Sequence, residues 1–279
     1  MTASAIPVAS SRSRIIAYWV TSGLLAAELL VGGVMDVLQM PFVRAVIERL
    51  GYPDYFLVIL GVWKLLGVVA VLAPGFPRLK EWAYAGLVFD MTGAVASHLA
   101  VGDGAETLVA PIIFTGLAFA SWSLRPPDRR DWASSAAYSR SQAIAYWVTT
   151  GLLALECGAG GVMGALRLSP FIEVMRHLGY PAYFMTILGV WYVLAGVAVL
   201  APRLPRLKEW AYAGLVFDMT GAVPSRLAVG DGVAAIAAPT ILTGLAVASW
   251  ALRPPCRRFG GVEGDNGENV RESLKEPAP

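Results

Sequence analysis

Charge is what this sequence has least of. Asp, Glu, Lys and Arg make up 15% of its 279 residues, while 56% are hydrophobic. A soluble domain usually carries about a quarter charged residues to cover its core, so a water-soluble globule is a poor fit. There are only two cysteines, Cys157 and Cys256, and no C-x-x-C pair, which excludes a dithiol enzyme working with its own cysteines. Cys157, inside an apolar run, reads as a small core residue. Only two histidines are present, His98 and His177, too few for a histidine-rich metal or haem centre; no metal site is expected, and the two are taken as separate interfacial residues. The sequence also lacks a P-loop, a strand-borne G-x-G-x-x-G, H-E-x-x-H and G-x-S-x-G. No catalytic motif remains, and the chain is expected not to be an enzyme by itself. The net charge of +2 comes from basic residues grouped at the ends of apolar runs, not along one stripe, so no nucleic acid is expected as a partner.

What is present is a series of long apolar runs. "IIAYWVTSGLLAAELLVGGVM" (15–35), "YFLVILGVWKLLGVVAVLA" (55–73), "WAYAGLVFDMTGAVASHLAV" (82–101) and "TLVAPIIFTGLAFASWSLR" (107–125) each approach the 20 or so residues that cross a bilayer as a helix. The set then recurs. "PRLKEWAYAGLVFDMTGAV" occurs unchanged at 77–95 and 205–223, and Tyr146 and Trp250 repeat Tyr18 and Trp122, each 128 positions on. The register slips by one near Pro41/Pro170 and recovers by Leu50/Leu178.

The expected architecture is an all-α integral membrane protein of two parallel four-helix bundles, eight transmembrane helices in total. Its parts are a leading segment (1–12), a first unit (13–127), a polar linker (128–140), a second unit (141–255) and a polar, disordered tail (256–279). The first helix recurs internally at 144–163, which makes a cleaved signal peptide an unsuitable reading of the N-terminal run. Arg12, Arg14, Arg78, Lys80, Arg125, Arg129 and Arg130 fall at one end of the helices, so that end and both termini are expected to be cytoplasmic. Trp82, Trp122, Trp210 and Trp250 are expected at the same interface. "MPFVRAVIERLGYP" carries apolar residues at Phe42, Val46 and Leu50, suiting an amphipathic helix on the opposite surface. The two units are expected to pair within the chain.

Charges buried among these runs are the candidate site. Glu28, Lys64 and Asp90 lie at similar depths on three helices, within about two turns. A lone ion there costs on the order of 3 kcal/mol on insertion scales, so the three are expected to cluster. Asp90 shares its face with Ala83, Gly86, Gly93, Ala94 and Ser97, a small-residue stripe suited to close helix packing. The second unit keeps Glu156 and Asp218 but has Tyr192 for Lys64 and Arg226 for His98, so the units are expected to be chemically unequal. A buried polar knot and a ligand or proton site are both compatible with this pattern.

"LGYPDYF", "LGVWKLLGVVAVLAP", "PRLKEWAYAGLVFDMTGAVASHLAVGD" and "SWSLRPP", with their counterparts in the second unit, closely resemble the DoxX-like family of four-helix bacterial membrane proteins. The resemblance implies a multi-pass protein of the bacterial inner membrane. It places Lys64, Asp90, Ser97 and His98 on the family's recurring polar positions, from which the second unit departs at Tyr192, Pro224 and Arg226. Relatives are linked to quinone-dependent sulfur oxidation and redox-stress complexes, so the resemblance implies an accessory subunit that binds a quinone or lipid head group beside a redox partner. A small-solute or proton-coupled transporter and a purely structural or assembly protein are the alternatives.

Overall fold

The computed structural model describes residues 12–126, 139–202 and 204–254. Most of the expected leading segment (1–12) and linker (128–140), the last residue of the second unit and the whole of the tail (256–279) lie outside the described residues. Among those described there is helix and no strand. The first repeat contains α1 (Arg12–Val37), α2 (Pro41–Leu50), α3 (Tyr55–Leu72), α4 (Pro77–Ala100), a 3₁₀ turn (Ala105–Leu108) and α5 (Val109–Leu124). The second contains α6 (Arg140–Leu155), a π-helical turn (Glu156–Gly160), α7 (Gly161–Ala165), α8 (Phe171–His177), α9 (Ala182–Leu200), α10 (Pro205–Ala228) and α11 (Val233–Ala251). The π turn opens where the second repeat reads "ECGAGG" against "ELLVGG" in α1, and its extra glycine, Gly158, weakens the α-helical preference there.

Six helices are long and apolar enough to cross a membrane: Arg12–Val37, Tyr55–Leu72, Ala105–Leu124, Arg140–Ala165, Ala182–Leu200 and Val233–Ala251. Their outward faces carry Leu24, Leu30, Val31, Val69, Ile112, Ile113, Val197 and Ile241, all exposed. In water such a surface would aggregate; in hydrocarbon it is the solvated face. α4 and α10, of 24 residues each, carry an Arg-Leu-Lys-Glu first turn, a mid-helix aspartate and a polar last turn, which lower their apolarity.

In the first repeat α1 packs on α3 and α5, and α4 packs on the same two helices; α6–α7, α9, α10 and α11 repeat the pattern. Gly33 of α1 and Gly61 of α3 bring two backbones together, since a Cβ on Gly61 would fall 2.7 Å from the Gly33 carbonyl. Gly161 and Gly189 do the same in the second repeat. α2 turns Ile47 and Leu50 inward and leaves Phe42 and Val46 exposed. The packed stripe is thus one residue round from the expected one, and α2 presents apolar side chains to two surroundings.

The repeats meet along α4 and α10, with α3 and α9 flanking them. Each aromatic contact here is made twice, once in each direction. Phe217 sits against Gly86 and Phe89 against Gly214, where a Cβ would approach the ring to 2.9 Å in either case. Trp63 packs on Phe217 and Trp191 on Phe89, with ring centroids 4.8 and 4.9 Å apart. The small-residue stripe of α4 is therefore only partly used: Gly86 receives a ring, whereas Gly93 faces open space. At the α2 and α8 end, Tyr52, Phe56, Tyr180 and Phe184 form one cluster, Tyr55 donates to the Leu178 carbonyl (2.5 Å) and Tyr183 to that of Leu50 (2.6 Å).

The end where α4 and α10 begin holds the most buried charges. Lys80, Glu81, Lys208 and Glu209 are fully buried, and Arg125 and Arg253 nearly so. Glu81 accepts from Arg125 through Oε1, and through Oε2 from Trp122 (2.9 Å) and from Trp210 of the other repeat (3.0 Å). Glu209 accepts from Arg253 (2.5 Å), Trp250 (2.7 Å) and, across the boundary, Trp82 (3.1 Å). The tryptophans expected at a lipid interface thus spend their N–H groups on buried carboxylates. Lys80 donates to the Ala70, Val71 and Ala73 carbonyls, which the end of α3 leaves without helical partners. Lys208 does the same for Ala198 and Val199. Lys80→Met is expected to lower stability by about 1–3 kcal/mol by orphaning those carbonyls, read as the loss of thermal unfolding temperature in detergent; an unchanged midpoint contradicts this role.

Candidate functional site

α1, α3 and α4 bring four ionisable side chains together inside the first repeat. Lys64 on α3 lies 2.9 Å from Asp36 and 3.7 Å from Asp90. Asp36 accepts a direct hydrogen bond from the ammonium, whereas Asp90 Oδ2 and Glu28 Oε2 are buried without a hydrogen-bond partner. Gly32, one turn on from Glu28, makes room for the group: a Cβ there would lie 3.2 Å from Glu28 Oε1 and 3.7 Å from Lys64 Nζ. The site is not sealed, since Lys64 and Asp90 keep 16% and 21% of their side-chain surface exposed.

Asp36 is the member that sequence reasoning missed. It stands in the last turn of α1, where a charge reads as a helix end. The repeat held the signal, because the position 128 residues on is Gly164. The second repeat therefore lacks both the lysine and its nearest acid. There Tyr192 donates to Asp218 (2.6 Å), Met185 reaches over Gly164 into the volume that a side chain would take, and Glu156 opens the π turn. Removing the ammonium and the carboxylate together avoids a buried unpaired charge, whose cost is far larger than that of losing the pair.

Ser97, His98 and Arg226 fall outside this cluster, at the opposite end from Glu81. Ser97 is hydrogen-bonded to Tyr52 (2.8 Å) and donates to the Gly93 carbonyl; Ser225 and Tyr180 repeat the pair. His98 lies 2.6 Å from Asp103, which also pairs with Arg49. In the second repeat Asp231 pairs with Arg226 (2.9 Å) and His177 (2.7 Å). His177 occupies the position of Arg49, and Arg226 that of His98. The two histidines, expected to be unrelated, are the same clamp with its His and Arg exchanged. The hydrogen bond from His98, with Arg49 beside it, holds the Asp103 carboxyl below the usual carboxylate range, and His177 with Arg226 does so for Asp231. Among the described residues no group of three or more His, Cys, Asp and Glu is arranged to hold a metal ion.

The fold and this cluster define a class: an all-helical, multi-pass membrane protein built from a tandem repeat with a buried polar group in one copy. The DoxX-like family matches the chain twice, at residues 20–121 and 148–249, and the chain belongs to that family. No curated protein and no solved structure matches it.

The second repeat supplies its own compensated set, which gives a direct test. Lys64→Tyr alone leaves Asp36 and Asp90 without their cation and is expected to cost about 3 kcal/mol. Adding Asp36→Gly is expected to recover most of that loss, measured by thermal unfolding in detergent. Equal destabilisation by the single and the double variant contradicts the pairing.

Proposed function

We propose that this chain is a non-catalytic membrane protein whose first repeat binds the polar head of a lipophilic ligand, with a quinone–quinol pair the chemistry that suits the site best. The observation that carries this reading is the pair of buried carboxylate oxygens without a hydrogen-bond donor, Glu28 Oε2 and Asp90 Oδ2, in the cluster around Lys64. Buried acceptors are normally paired, and a ligand hydroxyl supplies the missing donor. A quinone carbonyl accepts from Lys64, and the hydroxyls of the reduced form donate to the open carboxylate oxygens. The isoprenoid tail of such a ligand remains in the hydrocarbon. On this reading the second repeat, where Tyr192 satisfies Asp218, is the scaffold half, and the protein serves as an accessory subunit beside a redox partner.

The membrane arrangement that goes with it has eight crossings in two parallel four-helix bundles. α4 and α10 add two crossings to the six more apolar ones; 24 residues rise about 36 Å, enough for the hydrocarbon core. Four crossings per repeat bring both repeats in from the same side. Arg12, Arg14, Arg78, Lys80, Arg125, Arg140, Arg206, Lys208 and Arg253 lie at the end that holds Glu81, against Arg44, Arg49, Arg167, Arg176 and Arg226 at the other. This excess favours the Glu81 end, and both termini, on the cytoplasmic side of a bacterial inner membrane.

Purification in mild detergent, extraction and mass spectrometry of the retained small molecules test the ligand. The comparison is between the wild type and Lys64→Tyr combined with Asp36→Gly. A quinone enriched over bulk lipid in the wild type and lost in the double variant is the expected result. Bulk lipid alone in both samples contradicts the ligand-binding role and leaves the cluster as packing.

A further inference from the structure

We propose that the second repeat carries a binding site for one anionic diacyl phospholipid, on the outer face of α9 beneath Arg167. Two apolar furrows run side by side here. One, of about 250 Å³, lies between α7 and α9 and is bounded by Leu166. The other, of about 370 Å³, lies between α9 and α4 of the first repeat and is bounded by Trp191 and Ala96. They share Val190 and Leu194, so these two side chains form the ridge between them. Two adjoining lateral furrows match a ligand with two chains. Along α4 the larger furrow runs from Ala100 to Thr92, a rise of about 12 Å, which accommodates the upper part of an acyl chain.

The head-group end is fixed by Arg167. It lines the larger furrow and directly follows Leu166 of the smaller one. The chain turns through it with a left-handed backbone (φ 57°), which places a charged side chain where the helix would otherwise end in solvent. Its Nε donates to Thr186 Oγ1 at 2.8 Å, leaving the other guanidinium N–H groups for a ligand. At the same end Arg44, Arg49 and Arg226 each pair with a carboxylate; among the described residues Arg167 and Arg176 have none within ion-pair distance, and of these two Arg167 lines the furrow. A guanidinium matches phosphate oxygens in both charge and fork geometry.

The first repeat argues for specificity by contrast. Gln39 stands where Arg167 does and donates to the Asp54 carbonyl at 2.9 Å, and Val58 stands where Thr186 does. The equivalent face of α3 therefore has neither the cation nor the hydroxyl that positions it. The site takes its cation from the second repeat and one wall from α4 of the first; the first repeat holds no counterpart, and the site is separate from the Lys64 cluster.

The test uses the full-length protein in detergent with equal amounts of phosphatidylglycerol and phosphatidylcholine of matched chains, retained lipid being counted by native mass spectrometry. The wild type is expected to retain one phosphatidylglycerol in preference by about fivefold, the gain one basic residue supplies near a membrane surface. Arg167→Gln, which installs the first repeat's residue, is expected to bring the two lipids near parity. Arg176→Gln, an equal charge change on α8, leaves the preference intact. Val190→Trp, which fills both furrows, lowers retention of either lipid. Equal retention of both lipids by the wild type overturns the proposal. So does an unaltered preference in Arg167→Gln, a loss in Arg176→Gln as large as that in Arg167→Gln, or undiminished retention in Val190→Trp.

Discussion

A carboxylate with no water near it must find its hydrogen bonds in the protein, and Glu81 and Glu209 find theirs in both repeats at once. Each takes an arginine and a tryptophan from its own repeat and a second tryptophan from the other. Without the foreign indole, one acceptor site on a fully buried oxygen loses its donor, at a cost of about 1–3 kcal/mol. The two halves therefore complete each other at this end. The aromatic cluster around Tyr52 and Tyr180 joins them at the other, and the Phe–Gly contacts of α4 and α10 join them between. Arg78 over Trp250 and Arg206 over Trp122, each 5.5 Å from the ring centroid, add cation–π contacts across the same boundary.

This scaffold is the part that duplication has left alone. The stretch holding Lys80, Glu81, Trp82, Gly86, Phe89 and Asp90 is identical in both repeats, and its contacts across the boundary between them are made reciprocally. Two of the polar groups that differ between the repeats differ as matched sets. Lys64 with Asp36 stands against Tyr192 with Gly164, and Arg49 with His98 against His177 with Arg226. In the first set an unpaired buried charge would have been the cost of changing the lysine alone. The first set removes a charge cluster from one repeat; the second preserves a clamp while exchanging its parts.

The helices, the repeat and the family were legible because apolar length and a 128-residue period survive without any tertiary information. Lys64 and Asp90 could be grouped because lone charges deep in apolar runs have few alternatives. Asp36 was not grouped with them, since near a helix end a charge looks solvated, yet the comparison with Gly164 would have singled it out. Lys80, Glu81 and Arg125 were harder. Basic residues and tryptophans at the ends of apolar runs ordinarily mark the membrane interface, and only the packing of α3, α4, α5 and α10 turns them inward. The contact between repeats carries no sequence signal beyond the identity of the stretch itself. A reader of one repeat alone would not know that Trp210 serves Glu81.

The claim that these cross-repeat hydrogen bonds tie the halves together is tested most directly by a double-mutant cycle on Glu81 and Trp210. Glu81→Met, Trp210→Phe and the two combined would be compared with the wild type by thermal unfolding in one detergent. A coupling energy of about 1 kcal/mol or more is expected, because each single change already removes the shared bond. Additivity within about 0.5 kcal/mol would contradict it and leave the two halves joined by apolar packing alone.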